Sequence, residues 1–572
     1  MRFTPKSRLL ALALLAVACL VAPAAYAQSV TTGTLAGSVS GSADAGGGVL
    51  PGATVTAVHG PTGARYSATT GNDGRFTIVN VRSGGPYTLS ASAQGYKDTS
   101  VSNVTAVLGT PVEVTIEMPL AAVEETINVV ATADEIINPN KTGSTSAVST
   151  ETIENGATVR RQLQDFARMN PYFSVDAQDA TASRINVAGR NNRYNTIQID
   201  GAVNNDLFGL ADTGTPGGPT DAQPISLDAI QQLQMVVSPY DVRQGGFTGG
   251  GINAVTRSGS NDWDGSVYGS QRDEGFIGEN IRTRPTVTSP TLDNVKRPVS
   301  DFSEDQYGAR LGGPIISDKL FFFVSGEYNR KESPNGTSAD GSTATQYQGG
   351  TSPAAVSALL QSRYGYDPGG LGDIIGATDS DLAFGRLDWN AAGGHQVTLR
   401  HNYLKASRDI IENRSTTSFR FPASTYTFDD ETNSSVLQVN SVFGNIFNEG
   451  RLGYQTIRDL RTVPDAFPSV EVGPTAPRAG EVLAGTERFS SVNALDQDVL
   501  EITDDVTLLH GDHTITIGTH NEIFDFSNAF LADSFGYYYF PNLAALNAGL
   551  ATQYAITFAN TGENAASFGV RQ

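Results

Sequence analysis

One cysteine stands in 572 residues, Cys19, and it lies inside the first apolar run. Disulfide scaffolds and thiolate chemistry are therefore excluded from everything after that run. Charge is scarce at 17% of residues, and 38 basic residues against 59 acidic ones give a formal net charge of −21. Nothing supplies the basic face a nucleic-acid partner would need. Beyond Leu9–Ala25 no uncharged apolar run is long enough for a membrane-spanning helix, and the mean hydropathy is only −0.20. With 39% apolar residues the chain is also unlike a disordered one, and its length excludes a single small module.

What is present begins with an export signal. Arg2, Lys6 and Arg8 precede a Leu/Ala stretch from Leu9 to Leu20, and Ala25-Tyr26-Ala27 offers a small-x-small cleavage site. Cleavage after Ala27 takes the charge from −21 to −24 and removes Cys19, because residues 1–27 hold three basic and no acidic side chains. A lipid-modified Cys19 fits less well, since the apolar stretch continues beyond it.

Residues 28–120 alternate apolar and polar residues in about seven short strands broken by glycine turns, which predicts a β-sandwich. The pieces LPGATV, TGNDGRFTI and GGPYTLSASAQGY resemble the carboxypeptidase regulatory-like domain, a transthyretin-type sandwich grouped with carbohydrate-binding-like folds. The resemblance implies glycan or partner binding, or a structural spacer; the lack of an aromatic platform favours the spacer.

Residues 121–140 form a short strand-prone linker ending in Asn138-Pro139-Asn140-Lys141. In 141–258, a helical pattern over Glu151–Met169 stops at Asn170-Pro171. Strands at Arg184–Arg190 and Thr196–Gly201 follow, then a short helix at Ser226–Leu233 and a strand at Gln234–Val237. The glycine run Gly249-Gly250-Gly251 feeds a strand, so it reads as tight backbone packing and not as a phosphate cradle. The pieces INVAGRNNRYNTIQIDGA and GGGINAVTRSGSNDWDGSVYG, in this order, resemble the plug domain of TonB-dependent outer-membrane receptors. That resemblance places a TonB box at Glu125, Thr126, Ile127, Asn128, Val129, Val130 and Ala131. It also makes Arg184 and Arg190 candidates for pairing with barrel carboxylates.

From residue 261 onward the pattern is hairpins. About nine strands are expected, near 261–272, 304–313, 319–331, 380–391, 395–407, 432–446, 450–461, 495–509 and 513–527. Short turns at 314–318, 392–394, 447–449 and 510–512 alternate with long polar loops at 273–303, 332–379, 408–431, 462–494 and 528–572, as in transmembrane β-barrels. One face of 395–407 carries Val397, Leu399, His401 and Tyr403, and the other Gln396, Thr398, Arg400 and Asn402. In 319–331, Leu320, Phe322 and Val324 oppose Phe321, Phe323 and Ser325. The turn LGGPIISDKLFFFVSGEYNR resembles the Oar-like subgroup of these receptors. Barrels of this family have about twenty-two strands, so residues 259–572 are read as the N-terminal portion of one and the chain as a fragment.

The expected fold class is thus mostly β: a transthyretin-like β-sandwich, an α+β plug domain, and part of a large antiparallel transmembrane β-barrel. No enzyme signature is found. Gly-x-Ser-x-Gly, a phosphate-binding loop and His-Glu-x-x-His are all missing. His510, His513 and His520 straddle a turn and point to different faces, and adjacent Glu124-Glu125 and Asp504-Asp505 point apart, so no metal, cofactor or acid–base pair is expected. The resemblance implies a TonB-dependent receptor in the outer membrane of a Gram-negative bacterium. Its partners would be TonB with the inner-membrane energising complex, outer-membrane lipid, and a small-molecule, peptide or glycan substrate such as a siderophore. The alternatives are an Oar-like adhesin or assembly protein on the same barrel, and a soluble glycan-binding protein.

Overall fold

The computed structural model describes residues 31–42, 45–108, 111–121, 129–130, 144–158, 160–175, 184–211, 213–237, 241–276, 280–282, 294–296, 301–343, 345–391, 394–412, 414–474, 481–510, 513–557 and 569–571. No described helix is long and apolar enough to cross a membrane.

Seven strands build the sandwich: β1 (Thr32–Gly41), β2 (Thr54–His59), β3 (Arg65–Thr69), β4 (Arg75–Arg82), β5 (Gly84–Ser92), β6 (Thr99–Ala106) and β7 (Val112–Met118). One sheet has the order β4-β1-β7, the other begins β3-β2-β5-β6. Alternation does the sorting: Val112, Val114, Ile116 and Met118 are buried and the residues between them exposed. Leu35, Val55, Leu89 and Val101 meet them from the other strands with no exposed surface. Gly37 is obligatory, because a Cβ there would fall 1.8 Å from the Val114 carbonyl oxygen.

Between sandwich and plug, β8 (Val129–Val130) runs parallel to β6, with Val101 opposite Val129. The plug sheet has the order β13-β12-β15-β14-β9, from β9 (Ser144–Val148), β12 (Thr196–Ile199), β13 (Ala202–Val203), β14 (Ile230–Val237) and β15 (Gly250–Thr256); β10 (Phe173–Val175) pairs with β11 (Ile185–Val187). Two expectations are corrected here. The helix expected over 151–169 is two short ones, α1 (Thr150–Asn155) and α2 (Leu163–Ala167), because Gly156 ends the first and Arg161 takes a left-handed φ of 52°. The helix expected at 226–233 is one 3-10 turn, Leu227–Ala229, after which β14 starts at Ile230: every residue from Leu233 to Val237 is buried, and a fully buried strand hides the period-2 signal. The glycine run packs as read: a Cβ on Gly250 would sit 2.6 Å from Val187.

Among the described residues ten strands form one antiparallel wall in chain order: Asp264–Asp273, Ser303–Ile316, Leu320–Pro334, Ile375–Ala391, His395–Ile410, Tyr426–Phe443, Ile446–Thr462, Ala494–His510, His513–Ala529 and Gly569–Arg571. The nine expected strands are there, and the tenth lies in what was read as a loop. Cross-strand register aligns the outward apolar side chains in rows. Phe322, Leu387, Leu399, Leu437, Leu452 and Ile502 stand opposite one another on six consecutive strands. Leu399 is 48% exposed, whereas its chain neighbour Arg400 is 2% exposed on the lumen side. Six residues further toward the long-loop ends, about 20 Å along the strands, the same face carries the row Asp381, Lys405, Glu431, Arg458 and Asp496. Charges of alternating sign replace apolar groups there, which sets the outer limit of the lipid-facing band. At the opposite, short-turn edge stand both tryptophans, Trp263 and Trp389, 65% and 51% exposed, as side chains at a membrane interface do.

The long polar loops carry folded structure of their own. Strands Phe419–Arg420, Val482–Ala484, Ser469–Val472, Tyr537–Phe540 and Gln553–Ala555 make a five-stranded sheet at the long-loop end, with helices Pro353–Tyr364 and Leu543–Ala548 beside it. Val356, Leu360, Phe419, Phe421, Val472 and Leu546 are its core. The first helix has full local signals: Ser352 caps the Ala355 amide, Pro353 opens the first turn and Gly365 closes it at φ 65°. Scattered over four loops, these short apolar runs escape any periodicity count.

Candidate functional site

The site is the surface on which the plug meets the lumen side of the wall. It is built from one hairpin. Asp200 and Gly201, both at positive φ, turn β12 into β13. This is the two-residue Asp-Gly turn that matches strand twist. The Asp200 carboxylate first binds its own domain, accepting from the Thr256 amide at 2.8 Å and the Thr256 hydroxyl at 2.7 Å. The same oxygen that takes the hydroxyl lies 3.1 Å from Nε of Arg400 and 3.5 Å from Arg386. The Asp200 and Ile199 carbonyls accept from Arg451 and Arg400.

Arg386 and Arg400 are direct cross-strand neighbours on the lumen face. Like charges so placed repel, and burial enlarges the penalty. Asp200 offsets it from the plug side; from the wall side Asp388, wholly buried, takes two bonds of 2.8 Å from Arg386. The plug thus supplies the charge that the wall lacks.

Further hydrogen bonds extend the seat. Glu501 accepts from the Val203 amide at 3.0 Å, Gln497 donates to Asp206 at 2.9 Å, Gln455 donates to Asn204 at 2.8 Å, and Asn402 donates to the Pro224 carbonyl at 2.9 Å. Glu327 accepts from the Ser226 hydroxyl at 2.6 Å and from Tyr268 at 2.5 Å. Phe323 and Phe384 of the wall, ring centroids 6.1 Å apart, complete the plug's apolar core beside Val187, Leu233 and Ile252. Burying each ring is worth about 2–3 kcal/mol.

Of the residues singled out from the sequence, Glu125, Thr126, Ile127, Asn128 and Ala131 lie outside the described residues, and Val129–Val130 are paired with β6. Arg184 is half-buried just ahead of β11, and Arg190 is exposed in the turn after it, its backbone bridged to Val187. The plug–wall ion pairs that the structure draws together at the hairpin have the opposite polarity from the one expected: wall arginines on a plug carboxylate. The signal was in the sequence, as arginines at lumen-facing positions 386, 400 and 451 and an Asp-Gly turn at 200–201. It was not legible without the register that places them together. His520 bonds Thr503 and Glu522, and no described set of three or more His, Cys, Asp or Glu side chains is placed to hold a metal ion.

At the short-turn mouth the sandwich contributes His59 and Arg82. Burial, and then the nearby Arg82 charge, press the His59 imidazole down to about 3. Its Nδ1 lies 2.7 Å from the Thr62 hydroxyl and its ring 4.8 Å from that of Tyr87. An open cleft of about 730 Å³ lies between sandwich, plug and wall, bordered by His59, Arg82, Thr150, Gln231, Arg257 and Phe323.

Three family models match in chain order: the carboxypeptidase regulatory-like domain at residues 34–119, the TonB-dependent receptor plug domain at 139–252, and an outer membrane β-barrel domain at 255–373. The TonB-dependent transporter Oar of Myxococcus xanthus is 29% identical over 249 residues, which is 42% of this chain and 22% of that protein. A probable TonB-dependent siderophore receptor, PirA of Acinetobacter baumannii, is 26% identical over 233 residues, 38% of this chain and 27% of that one. Of solved structures, the outer membrane transporter YddB from Escherichia coli aligns at 14% identity and a TM-score of 0.47, covering 69% of this chain and 50% of that one. The matched stretches thus span about a quarter of the two curated relatives. A carboxypeptidase regulatory-like domain, a plug domain like that of TonB-dependent receptors and an outer membrane β-barrel domain thus follow one another along this chain.

Proposed function

We propose that the protein is an energised importer: a ligand binds at the long-loop side, and TonB, pulling from the periplasm, moves the plug to let it through. The observation that carries this reading is the seat of the plug. It is polar and charge-matched, made of hydrogen bonds and ion pairs to the wall with few apolar contacts, and such a contact can be broken and re-formed without exposing a large greasy surface. A permanent filler would be held by apolar packing.

The segment Glu125–Ala131 is read as the TonB box, to which TonB adds as a β-strand. The parallel pairing of Val129–Val130 with β6 supports a segment whose backbone bonds readily to a neighbouring strand. TonB would then exchange with β6 for the same backbone groups. The side chains of the segment matter less than its amides.

The cargo is taken to be small, in line with the siderophore receptor among the relatives. The chain is read as a receptor and not an enzyme. The second reading, an adhesin or assembly protein, draws on the folded sheet that the long loops make at the outer end.

Deleting residues 124–132 from the full-length protein separates the two. Uptake, followed as growth on iron supplied by a panel of ferric siderophores, is expected to stop while surface display and cell–cell adhesion persist. Uptake that survives the deletion overturns the importer reading.

A further inference from the structure

The sandwich is fastened to the mouth of the wall by more than the chain that follows it. Thr31 donates to Glu449 at 3.2 Å and accepts from Gln438 at 2.9 Å, both on the lumen face. Tyr66 accepts from Gln396 at 2.6 Å, and the Pro61 carbonyl accepts from the Asn261 amide at 2.7 Å. Arg82, only 10% exposed, donates to the Ser258 hydroxyl at 2.6 Å and to the buried Asp388 at 3.2 Å.

Asp388 is the carboxylate that holds Arg386, and Arg386 contacts both Asp200 and the Thr256 hydroxyl of the plug, the latter at 2.7 Å. One line of buried charges therefore runs from sandwich to wall to plug: Arg82, Asp388, Arg386, Asp200. Each carboxylate in it is shared by two guanidiniums, so loss of an end member weakens the hold on the next. In sequence the candidate TonB box lies between sandwich and plug, so tension there draws on both.

We propose that the sandwich is a second stopper: docked in the short-turn mouth, it locks the plug through Arg82 and Asp388, and it must lift away before the plug can move. This rests on the receptor reading above. Arg82 is a positioning residue; it acts on the plug through Asp388 and Arg386.

The test uses the full-length protein in planar lipid bilayers, with potassium chloride current as the probe and urea added on the short-turn side to loosen the lumen contents. Arg82→Ala is expected to lower the urea midpoint for channel opening and Arg82→Lys to restore most of it. Arg75→Ala, which removes an exposed ion pair with Glu113 inside the sandwich, is expected to leave the midpoint unchanged. A cross-link tests the same point from the opposite direction, with the reduced double variant as its reference. A Cβ on Gly63 falls 3.4 Å from that of Asp318 in a wall turn, within disulfide reach. Oxidised Gly63→Cys/Asp318→Cys is expected to raise the midpoint, and dithiothreitol to return it. Opening at one urea concentration in all variants, oxidised or reduced, overturns the lock and leaves the receptor reading intact. A protein that conducts at no urea concentration overturns the channel reading itself.

Discussion

Arg386 and Arg400 stand directly opposite each other on adjacent wall strands, like charge against like, and Asp200 of the plug lies within 3.5 Å of both. The wall is thus electrostatically incomplete by itself, and the plug completes it. Asp200→Asn keeps the shape and one acceptor for Thr256 but removes the charge. Arg386 keeps Asp388, but the buried Arg400 loses its carboxylate, which is expected to cost about 3–5 kcal/mol. The change is read as a fall in the urea concentration at which protease reaches the plug. An unchanged threshold would mean the arginines are satisfied elsewhere.

The two faces of a wall strand are expected to respond oppositely to charge. Leu399→Arg puts a guanidinium on the lipid side in the middle of the apolar row and is expected to cost about 2–4 kcal/mol in folding from urea into vesicles. Lys405→Leu, six residues along on the same face, sits in the charged row above and is expected to change stability by less than about 0.5 kcal/mol. Equal effects would place the band elsewhere.

Acid is expected to loosen the sandwich. His59 binds a proton near 6.5 when unfolded and only at about 3 when folded, because it is buried beside the Arg82 charge. Between those values the unfolded form holds more protons, so stability is complete above pH 6.5 and is lost as pH falls toward 3, by at most about 1.4 kcal/mol per pH unit. His59→Gln is expected to flatten that slope. Protease release of residues 31–118 across pH 7 to 4 reports it, and a slope that persists in the variant assigns the effect to another group.

Strand addition to the candidate TonB box predicts a backbone signature. Asn128→Pro removes an amide from the middle of the segment and is expected to abolish uptake, whereas Thr126→Ala is expected to be silent. Capture of the purified periplasmic domain of TonB on a column of the full-length protein gives an independent measure. Equal capture by the proline variant removes residues 125–131 from that role.

Packing at the glycine run is expected to be unforgiving. Gly250→Val drives a side chain into Val187, whose three side-chain carbons already lie 2.6 to 3.0 Å from where a Cβ would be. Loss of plug protection at a lower urea concentration is expected; a neutral result would show that β11 can retreat.

Much of the architecture was legible before the structure. Alternation in 395–407 separated Leu399 from Arg400, and the strand positions held to within a few residues along most of the wall. What escaped is what depends on several segments at once. The strand Ile230–Val237 is buried on both faces, so its pattern lost the period that marks a strand. Phe419, Val472 and Phe540 became a core only because the hairpins beneath them align three loops. Asp200 gave no sign of its partners because Arg386, Arg400 and Arg451 lie on three strands whose register no local rule predicts.

The outer sheet joins Phe419–Arg420 to Val482–Ala484, Ser469–Val472 to Tyr537–Phe540, and so takes its strands from three separate loops. No single loop can bury its own apolar side chains: Phe419 and Phe421 are covered only when strands from the other two loops lie beside them. The outer sheet therefore ties the ends of separate hairpins to one another, so a change in one loop is felt by all three.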